Sequence, residues 1–266
     1  MGVKMYTKDD IVIPNFDLTG KVAIVTGGTK GLGYGIALTY AAYGADVVVA
    51  ARTVADCERV SQEIRDMGRK SLGVPCDLSK VEETDRLIET VANEFGHVDI
   101  VVCNAGGART VKAINMSEDD WDYVMDLDLK AVAFTAKAAA KQMIKQGTGG
   151  KIIAMASAAA MGGSAGISIY CAAKAGVVNL VKAFAVEWAR YGITVNAICP
   201  GYVPTAINEA SLKDERVRKA IESHSLVRRL GRVEEIAAPA LYLASNFSDY
   251  MTGAYILVDG GGAAAN

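Results

Sequence analysis

Tyr170 and Lys174 stand four residues apart within SAAAMGGSAGISIYCAAK, residues 157–174, and that spacing suits proton chemistry. Beyond Ile169 the chain reads as a helix, with good helix formers and an apolar stripe at Ala173, Val177, Leu180, Val181 and Phe184. Residues i and i+4 share a helix face, so the Lys174 ammonium lies beside the Tyr170 phenol. A free phenol has a pKa of about 10, and bringing it to about 7 takes roughly 4 kcal/mol of preference for the phenolate. A close cation, partly shielded from water, supplies a large part of that. Ser157 lies upstream, at the end of the strand-like run KIIAMAS, where its hydroxyl can hold a substrate oxygen while Tyr170 exchanges the proton. Taken alone, YxxxK is common by chance and also describes a packed helix with a snorkelling lysine.

Positioning such residues takes a framework, and the patterning predicts one. Short apolar runs at 22–26, 47–50, 72–75, 99–103, 151–156, 194–199 and 255–258 read as strands, the first wholly apolar as for a strand covered on both faces. Helical stretches alternate with them: 32–43, a helix capped by Thr53 and running to 67, 81–95 closed by Gly96, and a long helix opened by a Ser117/Asp120 capping box. The Tyr170 helix and 233–244 complete the set. Alternation of this kind predicts an α/β fold with a doubly wound parallel sheet and helices on both faces. With 266 residues, 51% of them hydrophobic, and no composition break, a single domain over 21–266 is expected, preceded by a polar extension at 1–20 serving as a strap or subunit contact. Residues 206–229 are charged and weakly periodic, as for a mobile loop beside the substrate.

Composition narrows the function. A net charge of −2 and the lack of a basic arm speak against a nucleic-acid partner. Five cysteines without a CxxC pair suit reduced thiols in the cytoplasm, and two distant histidines, His97 and His224, make a histidine metal site improbable. The uncharged run 152–173 is long enough to span a bilayer. Its glycines and serines make it read as strand, turn and helix start, and no membrane partner is expected.

Between the first strand and its helix stands TGGTKGLG, with Gly27, Gly31 and Gly33 at the turn. Glycines there permit a tight turn and let backbone approach a pyrophosphate at the helix N-terminus, where free N–H groups favour anions. The strand before and the helix after are the context that gives the pattern weight.

Together these motifs resemble the classical short-chain dehydrogenase/reductase family, over about residues 18–261. TGGTKGLG resembles its cofactor loop, which assigns Gly27, Thr29, Lys30, Gly31, Leu32 and Gly33 to the dinucleotide. Asp77, with Leu78 beside it, resembles the aspartate that meets the adenine amine. Asn104-Ala105-Gly106 resembles the NAG under the cofactor. Pro200-Gly201, Val203 and Thr205 resemble the segment that grips the nicotinamide carboxamide. Ser157, Tyr170 and Lys174 resemble the catalytic residues: Tyr170 as acid/base, Lys174 lowering its pKa and holding the nicotinamide ribose, Ser157 orienting the substrate oxygen. Asp128 occupies the place of the family's usual Asn, which the resemblance assigns to a water-linked proton relay, largely through its main-chain carbonyl. Asp keeps the carbonyl, but an ionised carboxylate cannot donate as an amide does.

The resemblance implies an oxidoreductase moving a hydride between nicotinamide and a secondary alcohol or ketone, in a homotetramer. The alternative is a non-catalytic dinucleotide-sensing protein on the same fold, and the presence of both Tyr170 and Lys174 speaks against it. NAD-specific members usually end the second strand with Asp. Here Ala51 stands there, with Arg52 next and Lys30 in the glycine loop, so NADP is the expected cofactor. For the small-molecule substrate, Arg109, Lys112, Tyr202 and His224 are the polar candidates, Arg109 foremost for an acidic group. The lead-in FDLTGKVAIVTGG resembles gluconate 5-dehydrogenase-like members and points to a polyol or sugar acid.

Overall fold

The computed structural model describes residues 7–205 and 208–265. Seven strands form one parallel sheet in the order β3-β2-β1-β4-β5-β6-β7: β1 Val22–Thr26, β2 Asp46–Ala51, β3 Ser71–Pro75, β4 Ile100–Cys103, β5 Gly150–Met155, β6 Ile193–Pro200 and β7 Tyr255–Val258. The helices are α1 Gly31–Ala42, α2 Val54–Asp66, α3 Val81–Phe95, α4 Glu118–Met125, α5 Ala131–Gln146, α6 Ser168–Trp188, α7 Glu209–Leu212, α8 Glu215–His224 and α9 Val233–Ala244.

Continuous apolar strands follow from burial on both faces. Val22 and Ile24 of β1 enter one core with Leu87 and Val91 of α3, Met143 of α5 and Val177 and Val181 of α6. Ala23 and Val25 face the other core, with Ile36 and Tyr40 of α1 and Ile236 and Leu241 of α9. Each large side chain so buried contributes about 1.5–3 kcal/mol, which is why the long, apolar α6 lies against the sheet. The uncharged run 152–173 divides, as expected, into β5, a short 3₁₀ turn at Ala158–Met161 and the start of α6.

Four local differences matter. Thr53 is the N-cap of α2 by position, but its side chain makes no capping bond to the helix amides. Its hydroxyl serves the Asp56 carboxylate instead. The long helix after the Ser117/Asp120 box, which is present as expected, is interrupted by a π turn at Asp126–Lys130. The charged stretch expected as a loop folds from Glu209 to His224 into α7 and α8, the latter capped by Asp214 accepting from the N–H groups of Arg216 and Val217. Within the extension, Leu18 is buried and Phe16 meets Phe247 and Tyr242 edge-on, while Ile11, Val12 and Ile13 are exposed. The part of the extension at 1–6 lies outside the described residues.

Candidate active site

All strands run parallel, so the residues that follow β1, β2, β4, β5 and β6 gather at one edge of the sheet. Chain order reverses there between β1 and β4, the kind of crevice where α/β sheets hold ligands. Thr26 organises its centre. Its hydroxyl accepts from the N–H groups of Asn104 (2.9 Å) and Ala105 (3.0 Å) and donates to the Val102 carbonyl (3.1 Å). The Asn104 amide donates to the carbonyls of Thr26 (2.9 Å) and Gly27 (3.3 Å), tying the NAG segment to the glycine loop. The sequence pattern presents Thr26 only as a strand end, although a hydroxyl closing an otherwise apolar strand is a usable signal.

The glycine loop is shaped for close approach. Gly27 has φ +62°, a conformation side chains rarely adopt. A Cβ on Gly33 would fall 2.4 Å from both the Asn104 amide nitrogen and the Gly27 carbonyl oxygen. Lys30 precedes α1 with extended backbone and no capping side chain, and the first turn of α1 carries no acidic residue. The first N–H groups of α1 therefore face the crevice as anion donors, and the cradle fits a pyrophosphate. Thr29 is buried and Leu32 packs against the core, which holds the loop's path. Thr205 closes the other side, its methyl 3.1 Å from where a Gly31 Cβ would stand. Pro200 ends β6, the Gly201 N–H donates to the Val258 carbonyl (2.9 Å), Val203 is buried, and Asn208 brackets the segment by accepting from the Thr205 N–H (2.9 Å).

At the outer end of the crevice, Arg52 is exposed beyond β2. Lys30 reaches over to Asp56 (2.8 Å), and that contact holds the Asp56 carboxyl below the usual carboxylate range. Asp77 accepts from the Ser79 hydroxyl (2.8 Å) and N–H (3.2 Å) beside the buried Leu78.

The chemistry-bearing side chains converge along α6. Lys174 is 3% exposed, and its ammonium donates to the Met155 carbonyl (2.9 Å) and sits 5.5 Å from the Tyr170 ring centre. Met155 ends β5 two residues before Ser157, so one backbone carbonyl registers the lysine against the serine. The Ser157 hydroxyl accepts from the Ala159 N–H (3.2 Å), and its own N–H is directed at the Cys199 sulfur. Burial pushes the Cys199 thiol up to about 11. Among the described residues the Tyr170 hydroxyl makes no hydrogen bond, while its ring packs with Val124, Ile169 and Ala173.

Asp128 brings its side chain to the site as well as its backbone. The π turn carries its side chain fully inside, where one carboxylate oxygen lies 3.0 Å from the Lys174 ammonium and the other accepts from the Gly107 N–H (3.1 Å). The first contact is ionic, without the alignment of a directed hydrogen bond. Burial pushes the Asp128 carboxyl upward, against the pull of Lys174 and the Gly107 N–H. Burial alone would lower Lys174, but Asp128 and Tyr170 outweigh it and the ammonium keeps its proton more firmly than usual. Gly106 is needed directly above, since a Cβ there would stand 2.7 Å from the carboxylate.

The substrate side departs from expectation. The Arg109 guanidinium pairs with Asp119 and Asp120 and stacks on the Tyr123 ring at 4.2 Å. Its charge is met within the protein, so it is not an open anion site. Lys112, Tyr202 and His224 are exposed.

A family model described as enoyl-(acyl carrier protein) reductase matches residues 27–262. The chain is 41% identical over 251 residues to 2-dehydro-3-deoxy-D-gluconate 5-dehydrogenase of Escherichia coli, covering 94% of this chain and 98% of that protein. A short-chain type dehydrogenase/reductase from Mycobacterium marinum superposes with a TM-score of 0.89 at 40% identity, covering 93% of this chain and 97% of that one. A gluconate 5-dehydrogenase from Burkholderia cenocepacia, solved in complex with NADP and tartrate, gives 0.91 at 32% identity over 94% and 98% of the two chains. Matches of this extent, on a parallel seven-stranded sheet, show that the chain belongs to the short-chain dehydrogenase/reductase family and is an oxidoreductase of CH–OH groups.

Proposed function

We propose that the chain is an NADP-dependent dehydrogenase that interconverts a secondary alcohol and a ketone on a sugar acid or polyol. The observation that carries this is the buried Lys174 ammonium beside the Tyr170 ring, held by the carbonyl of Met155, two residues before Ser157. Bound nicotinamide supplies or accepts the hydride at its C4. Tyr170 passes a proton to or from the substrate oxygen, Ser157 orients that oxygen, and Lys174 favours the phenolate form. Gly27, Gly31, Gly33 and the first turn of α1 take the pyrophosphate, Asn104 holds the loop, and Arg52 and Lys30 face the 2′-phosphate. The identity to a 2-dehydro-3-deoxy-D-gluconate 5-dehydrogenase and the likeness to a gluconate 5-dehydrogenase holding NADP and tartrate support both the cofactor and the substrate class.

Residues 21–266 act as one catalytic unit, with the stretch around α7 and α8 walling the substrate. Five unpaired cysteines suit a reducing cytoplasm. The exposed small side chains of α6 (Ala172, Ala175, Ala183) and the outward Tyr255 and Leu257 of the edge strand β7 suit subunit contacts in a homotetramer. Light scattering is expected to give four times the chain mass, and a stable monomer would overturn that reading. The function is tested by following nicotinamide absorbance with NADPH and NADH against keto sugar acids, ketoses, acyl ketones and steroid ketones. Turnover confined to the keto sugar acids and ketoses, faster with NADPH, is expected. Turnover with none of the ketones would overturn it.

A further inference from the structure

Asp128 places a carboxylate where an amide would have left the Lys174 ammonium without a counter-charge. Both side chains are closed from solvent, 3.0 Å apart, beneath Gly106 and Gly107. We propose that Asp128 is the positioning residue for Lys174, holding its ammonium against the Met155 carbonyl and balancing its charge, so that the site works as a carboxylate–ammonium–phenol set. This rests on the oxidoreductase reading above for its consequence in turnover, and on the geometry alone for its consequence in titration.

Three features make the arrangement specific. The π turn at Asp126–Lys130 aims residue 128 at α6, and inserted turns of this kind are frequent at functional sites. The second carboxylate oxygen is held by the Gly107 N–H, so the carboxylate cannot swing out to water without losing a backbone bond. The two neighbouring charges of the π turn, Asp126 and Lys130, are spent on each other at the surface (3.0 Å). The titratable groups facing Lys174 are then Asp128 from the π turn, Tyr170 from its own helix and Cys199 from β6. The thiol, with a pKa of about 11, is neutral through the working range. The Tyr123 hydroxyl of α4 lies by Gly107, 3.0 Å from where a Gly107 Cβ would stand.

An ionised Asp128 offsets part of the pull that Lys174 exerts on the Tyr170 proton. Removing its charge while keeping its shape therefore shifts the phenol toward ionisation at lower pH. Because the groups are coupled, the measured limbs belong to the set rather than to one residue. In Asp128→Asn, the alkaline limb of ketone reduction, where the acid form of Tyr170 is lost, is expected about one pH unit below that of the wild type. The acidic limb of alcohol oxidation moves the same way, and the plateau is expected to fall by no more than about tenfold because no general acid or base is removed. Asp128→Ala, which removes the hold as well as the charge, is expected to shift the limb and to lose more than tenfold from the plateau.

A titration of tyrosinate absorbance, wild type and Asp128→Asn each referred to its Tyr170→Phe counterpart, reads the same shift without turnover. It separates failure of this proposal from failure of the functional reading. Limbs and titration unmoved in a folded Asp128→Asn would overturn the proposal. Should that variant not fold, its combination with Lys174→Met decides. A double variant that regains folding supports the pair, and one that stays unfolded while Lys174→Met alone folds overturns it.

Discussion

Tyr170→Phe is expected to fold, to bind dinucleotide as the wild type does, and to lose a factor of about 10²–10⁴ in turnover, the range typical of a positioned general acid. The expectation combines what the substitution keeps with what it removes. The ring rests on Val124, Ile169 and Ala173, and phenylalanine preserves that packing. The hydroxyl makes no hydrogen bond among the described residues, so deleting it orphans no buried partner, and the melting temperature should hold. The one thing lost is the transferable proton beside the Lys174 ammonium. Binding is checked by the fluorescence of titrated NADPH, stability by thermal unfolding, and chemistry by kcat on the best substrate. Near-normal kcat in this variant would sink the assignment of Tyr170 as acid/base.

How far the sequence spoke depended on where the physics was local. The sheet was legible because a strand buried on both faces must be apolar throughout, and 22–26, buried at every residue, is observed as Val22–Thr26. Helix α3 was legible to the residue, since its apolar stripe stops at Gly96, which takes the left-handed conformation at φ +83° that a helix end favours. The capping box at Ser117 and Asp120 is present as its spacing predicts. The π turn had no such signal, because Asp126–Lys130 has ordinary helical composition and the extra residue per turn answers to packing against α6 rather than to propensity. That single turn brings the Asp128 carboxylate to the Lys174 ammonium. Arg109 shows the same limit from the other side. Its partners Asp119 and Asp120 lie ten and eleven residues on, beyond any helical spacing, and only the path of the chain after Gly107 brings them together.

Arg52→Ala is expected to cost NADP much more than NAD, with selectivity for NADP falling roughly ten- to a hundredfold, the equivalent of one charge-assisted contact of about 1.5–3 kcal/mol. Only NADP carries a 2′-phosphate, and the end of β2 at Ala51 offers no carboxylate to repel it. Of the cations near that position, Lys30 and Arg52 are not equal. Lys30 already rests on Asp56 at 2.8 Å, so a phosphate must share or displace that contact, and part of its attraction is spent beforehand. Arg52 is exposed just past the strand end, and its planar fork can meet two phosphate oxygens at once, so it should carry the larger share. Lys30→Ala is accordingly expected to lose less selectivity than Arg52→Ala, while Asp56→Asn, which frees the lysine, should tighten NADP and leave NAD nearly unchanged. The ratio of kcat/KM for the two cofactors, with Kd from calorimetry at two salt concentrations, resolves these contributions. Because the phosphate contact is ionic and exposed, the NADP preference should shrink as salt rises, and it should shrink less in Arg52→Ala. A wild type with the higher kcat/KM for NAD, or an Arg52→Ala variant weakened equally for both cofactors, would overturn the assignment of the 2′-phosphate to this end of the crevice.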